Sequence, residues 1–94
     1  MKTIVLDGGQ ITDAAAMHAV FARELALPEW YGANLDALND VLTESTEEIR
    51  VITLHTAQLA KNLGRRWHPL LRLFMDLRAH RPGFDYSIDP DMPR

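Results

Sequence analysis

Two carboxylates four residues apart, Asp36 and Asp40, are the side chains of this sequence whose type and spacing point most directly to chemistry. On a helix they occupy adjacent turns of one face, where two like charges destabilise the helix by roughly 0.2–0.5 kcal/mol. A compensating use is therefore expected, and cation binding is the obvious one, whether the cation is Mg²⁺ or the basic surface of another protein. Asp36, in the first turn, could equally complement the positive end of the helix dipole, whereas Asp40 lies too far along to gain much from it. Just upstream, Trp30 and Tyr31 precede Gly32. Of two adjacent aromatics, one must point away from whatever the other buries, and a large exposed aromatic beside acids is typical of a binding hot spot. The plainer alternative is that Tyr31 is core and Trp30 only covers a loop. Gly32 is expected to permit a backbone turn that other residues would resist.

Other reactive groups form no recognisable machinery. His18, His55, His68 and His80 are scattered, with no i, i+4 pair, and there is no HExxH, Walker, GxSxG or dinucleotide motif. His55 follows a strand, but a loop histidine there is the commoner case. The absence of cysteine excludes disulfides, zinc–thiolate sites and cysteine nucleophiles. Arg65, Arg66, Trp67 and His68 could in principle engage phosphates and stack on a base. Trp67 also heads an apolar helical stripe, which favours a core role.

Charge is segregated along the chain. From Glu24 through Glu48 there are seven acids, Glu24, Glu29, Asp36, Asp40, Glu44, Glu47 and Glu48, and no Lys, Arg or His. From Ile49 through Gly83 seven Lys and Arg face one acid, Asp76. The formal net charge of −3 therefore hides a polar molecule. Its acidic lobe opposes nucleic acid and attracts a cationic partner. Three classes stay open: an acidic protein-binding module, a metal enzyme using Asp36 and Asp40, and a nucleic-acid binder using Arg65 and Arg66, the last only if the two lobes face opposite ways.

The elements that must position these residues read as follows. Lys2 to Leu6 is a short β-branched strand closed by Asp7-Gly8-Gly9. A helix follows, capped by Thr12 or Asp13, with Met17, Val20, Phe21 and Leu25 as its buried stripe until Pro28. Asn34 caps the acidic helix, whose apolar face is Leu35, Leu38 and Leu42. Ile49 to Leu54 is a second strand, and Thr56 is expected to cap a short helix of Ala57 to Leu63 ending at Gly64. A further helix begins around Trp67, with Leu70, Leu71, Phe74 and Leu77 on its stripe, and Pro82-Gly83 ends it. Phe84, Tyr86 and Ile88 alternate with Asp85, Ser87 and Asp89 as a half-buried strand. Gaps long enough for crossovers separate the strands, which predicts an α/β fold: a small three-stranded parallel sheet packed with about four helices. Residues 1–89 are expected to form one domain and 90–94 a mobile tail. No apolar run approaches the ~20 residues that span a bilayer. With a strand at the N-terminus and no leader pattern, the expectation is cytoplasmic residence, no membrane and no cofactor.

The run Leu25-Ala26-Leu27-Pro28-Glu29-Trp30-Tyr31-Gly32-Ala33-Asn34-Leu35-Asp36-Ala37-Leu38, followed by Asp40 and Leu42-Thr43, closely resembles the signature of the barstar family of intracellular inhibitors of microbial ribonucleases. The resemblance implies a protein that is no enzyme, binds no cofactor or metal, and is a monomer when free. Its expected partner is an extracellular-type microbial ribonuclease or related cationic toxin, blocked stoichiometrically at its active site. By the same resemblance, Asp40 matches the family's central acid and Asp36 its neighbour, while Asp76 matches a peripheral glutamate. Trp30 stands where a tyrosine packs on the enzyme's catalytic histidine, and Gly32 and Asn34 shape the loop. Asn39 departs from the best-known member, which has a tryptophan there, as does Glu44-Ser45, which replaces glycine and tryptophan. These departures imply a ribonuclease of related chemistry with a different rim. The implied partner-binding set is Trp30, Gly32, Asn34, Asp36, Asn39, Asp40, Glu44 and Asp76.

Overall fold

Alternating burial builds the sheet. Along β1 (Lys2–Asp7), β2 (Ile49–Leu54) and β3 (Phe84–Ile88), Ile4, Leu6, Ile49, Val51, Phe84 and Tyr86 face inward and are buried, whereas Thr3, Val5, Arg50 and Asp85 are exposed on the opposite side. The computed structural model describes residues 1–89, so the tail expected at 90–94 lies outside the described residues. All three strands are parallel in the order β1-β2-β3, with Ile4 beside Val51 and Val51 beside Tyr86. The connection from β1 to β2 carries α1 (Ala14–Glu24) and α2 (Leu35–Glu44). The connection from β2 to β3 carries α3 (Thr56–Leu63), a 3₁₀ turn (Gly64–Arg66) and α4 (Trp67–His80). The expected α/β architecture is therefore observed.

Phe74 of α4 is the centre of the core, fully buried, with ring centroids 6.4 Å from Phe21, 5.9 Å from Phe84 and 5.7 Å from Tyr86. Tilted aromatic contacts at such separations add to the burial of large apolar area. On the outer side of Tyr86, the Arg78 guanidinium lies 4.4 Å from the ring centroid. α2 packs against both this core, through Leu38 and Leu42, and α4. The two helices therefore stand side by side with their outer faces open.

Of the two expected candidates, Asp13 is the residue that caps α1, its Oδ1 accepting the Ala16 N–H at 2.8 Å. The helix ends at Glu24, well before Pro28: Ala26 adopts φ 52°, and the Leu27 N–H donates to the Ala22 carbonyl at 2.9 Å, closing a Schellman-type end with alanine where glycine is usual. Thr56 does not cap α3. It is the first helical residue, the cap position belongs to His55 in left-handed conformation, and the Thr56 hydroxyl is buried between Thr53 Oγ1 and the Asp89 carbonyl. A polar side chain at a strand–helix junction had two uses available, and tying the ends of β2 and β3 prevailed over capping.

Candidate protein-binding surface

The loop between α1 and α2 is fixed at both of its ends. Asn34 caps α2 as expected, Oδ1 accepting the Ala37 N–H at 2.8 Å while Nδ2 donates to the Gly32 carbonyl at 3.3 Å. Gly32 does not have the positive φ that a turn-permitting role suggests. A Cβ there would come within 3.1 Å of Asn34 Nδ2, so its lack of a side chain makes room for the cap. The left-handed residue is its neighbour Ala33, at φ 50°, a conformation that costs roughly 1–2 kcal/mol without glycine. Local strain of this sort is characteristic of sites where a loop is held in a working shape.

Trp30 and Tyr31 divide as adjacent aromatics must. Trp30 is 85% exposed, while Tyr31 is half-buried against the core. Beneath it, His18 of α1 is buried with Nδ1 2.7 Å from the Tyr31 hydroxyl and the rings 5.8 Å apart. Burial, then the positive charge of Arg66, holds the imidazole below its ordinary pKa. Burial alone pushes the phenol up to about 12. Both groups are thus favoured uncharged, and the pair anchors the loop to α1. Sequence reasoning passed over His18, although its spacing with Phe21 and Leu25 (i, i+3, i+7) puts it on a buried helical stripe.

α2 turns its leucines inward and its polar residues out. Leu38 and Leu42 are fully buried, and Asp36, Asn39, Asp40 and Thr43 form an exposed stripe at i, i+3, i+4 and i+7 that Glu44 extends to the helix end. Among the described residues the ion pairs are Arg23–Glu24 at 3.8 Å and Asp7–His55 at 4.0 Å. None involves Asp36, Asp40, Glu44 or Asp76. The carboxylates therefore face solvent without an internal countercharge within 4 Å, and no third ligand joins Asp36 and Asp40 in a metal-holding group among the described residues.

Asp76 of α4 joins this surface across a groove. Asp36, Asn39 and Leu35 on one side and Arg72, Leu73 and Asp76 on the other enclose about 460 Å³. The groove continues past Asn39 and Asp76 into a second depression of about 340 Å³, closed by Thr43, Leu77 and Arg81. At the other end, Asn34 and Asp36 share a cleft with His18 and Arg66. The acidic and basic halves of the sequence consequently meet along one surface rather than facing opposite ways, which removes the condition that a nucleic-acid reading of Arg65 and Arg66 required. Of the expected residues, Asn34, Asp36, Asn39 and Asp76 are brought together at these concavities. Asp40 and Glu44 stand on the exposed ridge of α2, and Trp30 projects from the loop.

A family model described as Barstar (barnase inhibitor) matches residues 1–88. That match spans the sheet, the loop and both helices of the acidic surface. The chain belongs to the barstar family, an inhibitor family rather than a catalytic one, whose members bind ribonucleases of the barnase type.

Proposed function

We propose that this chain inhibits a cationic microbial ribonuclease stoichiometrically, by placing the loop from Trp30 to Asn34 and the outer face of α2 in the enzyme's active site. Asp40 and Asp36 stand in for substrate phosphates there, and Trp30 packs on the catalytic histidine. Asp76 and Glu44 meet basic groups at the edge, and Asn39 sets a rim fitted to one particular enzyme. The observation that carries this reading is the pair Asp36 and Asp40 on adjacent turns, with no cation within 4 Å among the described residues. Two like charges so placed weaken the helix, and a cationic partner relieves both at once. Beside them the loop, anchored through Tyr31 and Asn34, presents the exposed aromatic Trp30, and a loop already held in place has less backbone to order on binding. The free protein acts as a monomer in the cytoplasm, protecting a cell that makes the enzyme.

Titration of the chain into a secreted guanyl-specific ribonuclease such as barnase, at rising salt, tests the proposal. Complete loss of RNA cleavage at one equivalent, with association slowing as salt rises, is the expected result. Unchanged cleavage across a panel of such enzymes, or Mg²⁺-dependent hydrolysis by the chain alone, contradicts it.

A further inference from the structure

Arg81 is the strongest unexplained group in the molecule. It follows α4 directly, is 8% exposed, and its guanidinium reaches across to the connection between α2 and β2, where Nη2 donates to the carbonyls of Ser45 and Glu47, the latter at 2.6 Å. Ser45 is the C-cap of α2, and the Arg81 N–H itself closes the last turn of α4 on the Leu77 carbonyl at 2.7 Å. One side chain therefore holds together the C-terminal ends of the two helices that carry Asp40 and Asp76. It also closes the end of the groove between them.

Stability alone is a poor reason for this group. No carboxylate lies within 4 Å of it among the described residues, and its buried Nε–H meets no acceptor there. Burying a charge with incomplete pairing is unfavourable, and an apolar residue of similar volume generally serves a fold as well or better. What an apolar residue cannot do is grip two backbone carbonyls at fixed positions, which a planar guanidinium does. We infer that Arg81 is a positioning residue that sets the separation and tilt of α2 and α4, so that Asp40 and Asp76 are presented to the partner together. The inference rests on the inhibitor reading, whose geometry it deepens.

The test compares the wild type, Arg81→Met and Arg81→Lys, all at a temperature where circular dichroism shows each to be folded. Backbone hydrogen exchange comes first because it needs no partner. In Arg81→Met the amides of Asp40 to Glu47 are expected to exchange about tenfold faster relative to those of α1. Uniform change, or none, overturns the inference whatever the chain binds. Stopped-flow kinetics with barnase as the probe then read presentation of the acids. Dissociation is expected to accelerate by about tenfold or more while association stays within about threefold. The loss should shrink in an Asp76→Ala background, since two residues acting through one geometry are not additive. Arg81→Lys keeps the charge but only part of the grip, so an intermediate dissociation rate is expected; it also carries the test if Arg81→Met does not fold. Unchanged dissociation with a lowered melting temperature, or full additivity with Asp76→Ala, contradicts the positioning role. If wild-type chain binds no ribonuclease while exchange behaves as expected, the inhibitor reading fails and the clamp stands.

Discussion

Asp40 is the residue on which binding should depend most. It occupies the exposed ridge of α2 with no ion-pair partner within 4 Å among the described residues, so an enzyme's cation can meet it without first displacing one of them. Replacement by alanine is expected to weaken the complex by more than about 2 kcal/mol, or about 30-fold, a scale set by interface hot spots including those of barnase and barstar themselves and not by this geometry. Asn34→Ala acts differently, because it removes the N-cap of α2 as well as the Gly32 contact. A loss of about 1 kcal/mol in folding stability is expected, read from the urea midpoint. His18 links the loop to pH. Its folded pKa lies below the ordinary 6.5, so the unfolded chain binds more protons in that range. Its contribution is fully present above pH 6.5 and is lost as pH falls through the lower folded value. Urea midpoints between pH 7.5 and pH 5 should therefore fall more steeply for wild type than for His18→Gln. Equal slopes would show that burial of this imidazole is not what couples the loop to acid.

Among the elements, α1 ends under avoidable strain. Ala26 holds the left-handed position of its Schellman-type terminus, and glycine there should raise stability by about 1 kcal/mol, measured by denaturant unfolding. A decrease would mean that the unfolded-state entropy of glycine outweighs the relieved strain. The strands and helices themselves were legible in the sequence because their signals are local: period-two alternation in Phe84 to Ile88, the 3.6-residue stripe of Leu35, Leu38 and Leu42, and Asn34 before a helix. The acidic face of α2 was legible for the same reason. Less legible were features decided by residues far apart in the chain. Thr56 looked like a cap until the Asp89 carbonyl, 33 positions on, claimed its hydroxyl. Arg81 reaches carbonyls at Ser45 and Glu47, and nothing in Arg81-Pro82-Gly83 announces that. The left-handed conformation falls on Ala33 rather than on Gly32, beside which the cap side chain of Asn34 folds back over the loop.

For the whole molecule, segregated charge and a rigid two-helix surface have one shared consequence. The parallel sheet and the core around Phe74 form the base on which α2 and α4 are mounted. Phe74→Ala is expected to cost about 3–5 kcal/mol of folding stability and to lower inhibition only through the unfolded fraction. The surface above it is acidic along α2, with Arg66 at one end and Arg72 across the groove, so attraction of its carboxylates to a basic enzyme should act at long range and be screened by salt. The most direct measurement is a titration of barnase-type ribonuclease activity with wild-type chain and with Asp40→Ala, side by side at fixed salt. Inhibition that is complete at one equivalent for the wild type and shifted to at least about 30-fold higher concentration for Asp40→Ala is the predicted result. Equal inhibition by both proteins, or by neither, would contradict the assignment of this acidic surface as the inhibitory one.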